Sequence, residues 1–176
     1  MLRVAKILDK LKIPYIITGG MAVSVWGRPR STADIDIIVE LFSKNIHRLA
    51  KELLMVNKDV YISEDAIKEA LEYKGEFNFI DPQSQLKVDF WIVKDVFNKN
   101  EIERAVSQEF EGYKIKFVSP EDLVLSKLLW YKGSNSTRHL DDTKSVLAIT
   151  KINLKYVKEW AKRQGTIEIL EKLLKD

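Results

Sequence analysis

Along this chain the spacing of apolar residues alternates between helical and strand periods, and that pattern sets out the elements. Leu2, Val4, Ala5, Ile7, Leu8 and Leu11 recur at helical intervals, which predicts an opening amphipathic helix ended by Pro14. Tyr15-Ile16-Ile17 is short, apolar and β-prone and runs into Gly19-Gly20, a buried strand followed by a tight turn. Met21 to Trp26 forms a short helix closed by Gly27 and Pro29. Asp34-Ile35-Asp36-Ile37-Ile38-Val39 alternates and then turns fully apolar, as a central strand does.

Helical spacing returns over 43–57 through Ile46, Leu49, Ala50, Leu53 and Leu54, with Ser43 placed to cap, and again over 63–73 behind Ser63. Phe77 to Ile80 and Leu86 to Val93 read as two strands joined by a turn at Asp81-Pro82. A short helix is expected near 99–107 and a further alternating strand from Tyr113 to Val118. Beyond Ser119-Pro120, a cap followed by proline at the first helical position, only helical signals remain as far as Asp176. They break near Gly133-Ser134-Asn135 and at Gly165. The reading is a mixed α/β core over 1–118 and a helical extension over 119–176.

With 176 residues, 45% hydrophobic and 31% charged, the chain can bury a core and lacks the composition of a disordered one. Net charge is +3, and all of it lies in residues 151–176, where seven Lys/Arg face four Asp/Glu; residues 1–150 balance at 22 against 22. Lys151, Lys155, Lys158 and Lys162 form one helical stripe opposite Leu154, Val157 and Trp160, which suits a solvated face or a weak polyanion contact. No cysteine is present, so disulfides, thiolate metal sites and a cysteine nucleophile are excluded. Two histidines, His47 and His139, do not make a His-built zinc site. No apolar run reaches membrane-spanning length and no signal-peptide core is seen, so a soluble, cytoplasmic protein away from membranes is expected.

The candidate chemistry lies on the strands. Residues two apart on a strand share a face, so Asp34 and Asp36 project together while Ile35 and Ile37 face the other way. Paired carboxylates at the end of an apolar strand repel unless a cation lies between them, and oxygen-only ligands suit Mg²⁺. Asp89, flanked by Leu86, Val88, Phe90 and Trp91, is the favoured third carboxylate on an apolar strand; the alternatives are a strand-edge acid facing water, or Asp95, which falls outside the apolar run. Three such acids can serve a two-metal site, with Asp89 available to take a proton. Gly19-Gly20 lets backbone approach an anion at a helix start, and Thr18 adds a hydroxyl. Arg28 and Arg30 either reach a phosphate or balance the acids.

Ile17-Thr18-Gly19-Gly20, then Asp34-Ile35-Asp36-Ile37-Ile38, then Val88-Asp89-Phe90 resemble the three sequence elements of the DNA polymerase β-like nucleotidyltransferase superfamily. Within it, the Gly-Gly turn is similar to that of the abortive-infection and toxin-type members. A second stretch, Pro120 to Leu129 with Arg138 and Asp141-Asp142, resembles their helical element. The resemblance implies an α/β (α+β) nucleotidyltransferase fold, a mixed sheet flanked by helices with a C-terminal helical extension. It also implies two Mg²⁺ ions on Asp34, Asp36 and Asp89, and an NTP held by Thr18, Gly19, Gly20, Arg30, Lys127 and Arg138. Asp141 or Asp142 would orient a basic side chain. The implied activity is transfer of NMP to a hydroxyl of a tRNA or protein, as a toxin-type module with an antitoxin-like partner. The alternative is a catalytically inactive nucleotide-binding or regulatory module, because Met21 stands where relatives place a small or hydroxyl residue and the third carboxylate is open. Lys127 also fits an exposed helix position, His139 either a cleft or the surface, and oligomeric state has no signal in the pattern.

Overall fold

The computed structural model describes residues 1–175, so Asp176, to which the helical expectation extended, lies outside the described residues. The chain divides into two compact units, one of Met1–Met21 with Ser31–Val118 and one of Ala22–Arg30 with Ser119 onward. The division falls within one helix, and residues 22–30, expected with the core, group with the helical unit.

The first unit is built on a six-stranded mixed sheet of β1 (Tyr15–Ile17), β2 (Asp34–Val39), β3 (Glu76–Asp81), β4 (Leu86–Ile92), β5 (Val106–Phe110) and β6 (Tyr113–Phe117). Their order is β3-β4-β2-β1-β6-β5. β2 pairs antiparallel with β1 and parallel with β4, and β1 pairs parallel with β6. The interior position of β1 explains its composition: Tyr15, Ile16 and Ile17 are all fully buried. On β2 the half-buried Asp34 and Asp36 alternate with buried Ile35 and Ile37. Helices α1 (Leu2–Lys10), α3 (Ile46–Leu54), α4 (Glu64–Tyr73) and α5 (Val96–Glu103) belong to this unit. α1 packs on β6 and α3, α4 on α3, β3 and β4, and α5 on β1.

Three local expectations change. The helix expected near 99–107 starts earlier, because Asp95 caps it by accepting a hydrogen bond from Asn98 N at 2.9 Å. Residues from Val106 form β5, an edge strand joined to β6 through Glu111-Gly112, both at positive φ (50° and 72°), as a two-residue hairpin turn requires. Ser43 opens a 3₁₀ turn, Ser43–Asn45, instead of capping α3.

The second unit holds residues 22–26 of α2 (Gly19–Trp26), with α6 (Pro120–Ser134), α7 (Thr137–Ile149), α8 (Leu154–Gln164) and α9 (Ile167–Leu173). α6 packs on α7 and α8, and α8 on α9. Ser119 caps α6 with Pro120 at its first turn, as its sequence predicts. The fully buried Asp122 accepts hydrogen bonds from the Ser119 hydroxyl at 2.7 Å and the Tyr156 hydroxyl at 2.6 Å, tying α8 to the start of α6. A break unmarked by glycine or proline separates α7 from α8, where Asn153 caps by accepting from Tyr156 N at 3.2 Å. Thr150 and Ser145 anchor the 22–30 segment: the Thr150 hydroxyl donates to Trp26 O, and Arg28 N donates to Ser145 Oγ at 2.6 Å.

Candidate active site

β1 ends where the backbone N–H of Thr18 donates to Asp36 O at 2.9 Å, and the next residue turns into α2. Gly19 makes that turn with φ +61°. A Cβ there would sit 1.8 Å from Asp36 Oδ2, so the backbone lies directly against the Asp36 carboxylate and admits no side chain. Gly20 is closed in on another side, less tightly, since its Cβ would meet Thr32 Oγ1 at 2.6 Å. The Thr32 hydroxyl donates to Asp34 O at 3.1 Å and steadies the start of β2.

Strand register brings the acids together. Asp36 pairs with Asp89 across the parallel β2–β4 ladder, and Asp34 pairs with Lys87. Partners in a ladder point to the same face, so Asp34, Asp36, Lys87 and Asp89 share one face of the sheet. On the far side of β4, Asn78 pairs with Asp89. The Asn78 amide donates to Asp89 Oδ1 at 2.5 Å, and the Lys87 ammonium donates to Asp89 Oδ2 at 2.9 Å. The Asp89 side chain is only 11% exposed, so these partners hold its charge where water cannot. Glu76 lies two residues before Asn78 on the same strand face. Burial pushes its carboxyl up, and the Asp89 and Asp36 charges add to that while Lys87 opposes it. The hydrogen bond to Asp89 raises the Lys87 ammonium, with the Asp89, Asp34 and Glu76 charges adding to it against desolvation.

The donor set suits a hard divalent cation: it is all oxygen, two neighbouring strands supply it, and glycine backbone backs it. Among the described residues, however, no three acid or imidazole side chains already converge on one metal position. Both Asp89 oxygens are engaged, one by Lys87, which supplies the positive charge a metal would bring.

The remaining candidates lie in the second unit. Arg30 grips Asp142 with two hydrogen bonds, Nε to Oδ1 at 2.8 Å and a terminal nitrogen to Oδ2 at 3.0 Å. Lys127 Nζ reaches Asp142 Oδ2 at 2.8 Å, and the side chains of Lys127 and Asp142 are 9% and 4% exposed. Burial pushes the Asp142 carboxyl up, but the hydrogen bonds and charges of Arg30 and Lys127 outweigh it and hold it below the usual range. Of the two acids left open by sequence, Asp142 is the partner of these cations and Asp141 is exposed. Arg138 is exposed on α7. Next to it, His139 has a buried Nδ1 with no hydrogen-bond partner. Burial and the Lys127, Arg138 and Arg30 charges lower its pKa against the pull of Asp142. His47 is exposed and pairs with Glu64 at 2.9 Å.

Thus Thr18, Gly19, Gly20, Asp34, Asp36 and Asp89 gather in the first unit, while Arg30 and Lys127 meet at Asp142 in the second. Sequence reasoning missed Asn78, Lys87 and Glu76. Lys87 was findable, because it lies two residues from Asp89 and therefore on its strand face. Asn78 and Glu76 become neighbours of the acids only through the β3–β4 pairing.

Residues 5–170 match the family described as "Nucleotidyl transferase AbiEii toxin, Type IV TA system". The chain belongs to this family. The AbiEii assignment agrees with the solved structures it resembles. ANT(2″)-Ia in complex with adenylyl-2″-tobramycin superposes with TM-score 0.62 at 14% identity, covering 94% of each chain. An antigenic nucleotidyltransferase-like protein from Paracoccidioides brasiliensis gives 0.54 at 19% identity over 81% of this chain and 70% of its own. The lincosamide adenylyltransferase LnuA, lincomycin-bound, gives 0.53 at 13% over 82% and 92%. At such identities these structures establish the nucleotidyltransferase fold. Among curated proteins no sequence relative matches. Among the described residues no helix is long and apolar enough to cross a membrane.

Proposed function

We propose that this AbiEii-family chain transfers a nucleoside monophosphate from an NTP to a hydroxyl acceptor at the face shared by Asp34, Asp36 and Asp89. One observation carries the reading: Asp36 and Asp89 are ladder partners, and Gly19 backbone lies against the Asp36 carboxylate. A triphosphate beside the Thr18-Gly19-Gly20 turn then has its α-phosphorus next to the acids. Asp34, Asp36 and Asp89 would hold two Mg²⁺ ions, which when bound neutralise triphosphate charge and make the acceptor hydroxyl easier to deprotonate. The acceptor oxygen attacks the α-phosphorus, the bond to the β-phosphate oxygen breaks, and pyrophosphate leaves with that electron pair. Asp89 takes the hydroxyl proton. Arg30, Lys127 and Arg138 are the candidate basic contacts to the nucleotide, two of them already oriented by Asp142.

The acceptor of this proposal is a hydroxyl on a tRNA or a protein, and the toxin description of the family supports a toxin-type role with an antitoxin-like partner. Incubation of a lysate with each α-³²P-labelled NTP and Mg²⁺ should label one macromolecule, with nuclease or protease sensitivity giving its class. Asp36→Ala should lower labelling by at least ~10²-fold. Tight NTP binding without labelling would make the chain a nucleotide-binding module, a reading that the engagement of both Asp89 oxygens supports.

A further inference from the structure

Lys87 stands among acids. It is the ladder partner of Asp34, its ammonium lies 2.9 Å from Asp89 Oδ2, and the charges of Asp34, Glu76 and Asp89 all act on it. The Asp89 side chain is 11% exposed and that of Lys87 is 40% exposed. A carboxylate so enclosed needs a partner whenever no metal is present. Its two oxygens are held differently: Oδ1 by the neutral Asn78 amide, Oδ2 by the cationic Lys87. A neutral amide can stay bonded when a divalent cation arrives, whereas an ammonium is repelled. Lysine also suits release, being a point charge on a flexible stem that can carry its head into water.

We propose that Lys87 is an exchangeable internal counter-cation: it holds Asp89 in the metal-free protein and must release Oδ2 before that oxygen can serve as a ligand, while Asn78 fixes the carboxylate throughout. Lys87 and Asn78 are therefore positioning residues, acting through Asp89. This inference rests on the proposed reading of the acids as a metal site.

The test is Mn²⁺ binding to the full chain without nucleotide, followed by electron paramagnetic resonance, with thermal melts of the metal-free protein alongside. Lys87→Gln removes the competitor and should tighten Mn²⁺ by roughly 3- to 10-fold while lowering the metal-free melting temperature. Lys87→Arg, which can grip the carboxylate through two bonds, should weaken Mn²⁺ by a comparable factor. Asn78→Ala should weaken it by about 10-fold or more, as loss of a group that orients a ligand does. If Lys87→Gln leaves Mn²⁺ affinity unchanged or weakens it while Asp36→Ala abolishes binding, the counter-cation role is wrong and the metal site stands. Mn²⁺ binding that survives Asp36→Ala would overturn both. Should Lys87→Gln fail to fold, the opposite pattern for Lys87→Arg, tighter binding, would equally sink the proposal.

Discussion

At the scale of single residues, Gly19 is the position where backbone conformation and chemistry coincide. Gly19→Ala must place a methyl 1.8 Å from Asp36 Oδ2 at φ +61°. It should cost about 2 kcal/mol or more of stability and abolish labelling. Gly112→Ala is the control: φ is +72° but nothing lies within 4 Å of its Cβ. It should cost about 1 kcal/mol in a denaturant melt and leave labelling intact. Asp142 gives a second residue-scale prediction. Asp142→Asn strands the Lys127 ammonium, whose side chain is 9% exposed, and should lose roughly 3 kcal/mol on chemical unfolding. Acidification should act in two windows of the same sign. The lowered pKa of His139 means that the unfolded chain binds its proton first, so stability falls as pH drops below about 6.5. The lowered pKa of Asp142 protects stability above about pH 4 and forfeits it below. His139→Gln should flatten the stability profile between pH 5 and 7, and an unchanged slope would count against this assignment.

Among elements, the start of α6 shows how a cap becomes a tertiary joint. Ser119 Oγ accepts from Asp122 N at 3.2 Å and its hydroxyl donates to the Asp122 carboxylate, which also receives the Tyr156 hydroxyl from α8. Ser119→Ala should cost about 2 kcal/mol, at the upper end for a lost cap, because a fully buried acid loses a partner as well. Tyr156→Phe should cost about 1.5–3 kcal/mol without changing NTP affinity, as measured by calorimetry and melts. Ser119 and Pro120 announced this helix in the sequence, but Tyr156 as the second partner of Asp122 did not, since 34 residues separate them. The same distinction explains β5. Its edge position leaves an alternation of half-buried and exposed residues that is too weak to outweigh a nearby helical pattern, and pairing with β6 decides it.

For the whole molecule, the nucleotidyltransferase fold persists at 13–19% identity to solved relatives, because a burial pattern can be satisfied by many apolar sequences. What is shared with them is the fold, and acceptor choice belongs to sites grafted on it. The net charge of +3 comes from the tail, where Lys151, Lys155, Lys158 and Lys162 are all exposed and Val157 and Ala161 are buried. Lys151, expected on the same helical stripe, lies in the break before α8, which carries only the other three. Replacing these four lysines with glutamine should change stability by no more than about 0.5 kcal/mol per site and leave NTP binding intact. Loss of labelling of a nuclease-sensitive acceptor in that variant, largest at low salt and shrinking as salt rises, would assign these lysines to acceptor binding.

Local pattern carried the identities of β1, β2 and β4 and the α6 cap, because each is written in neighbouring residues and in the burial each element needs; the roles of the Gly19-Gly20 turn and the three aspartates came from the family resemblance. Register carried the rest. That Asp36 faces Asp89, that Asn78 and Lys87 take the Asp89 oxygens, and that Asp142 binds two cations from distant segments depend on which strands and helices meet. Those meetings are settled by long-range packing, in which a one-residue slip along β4 would turn Asp89 to the other face. A chain's local pattern contains the faces of its elements but not their partners.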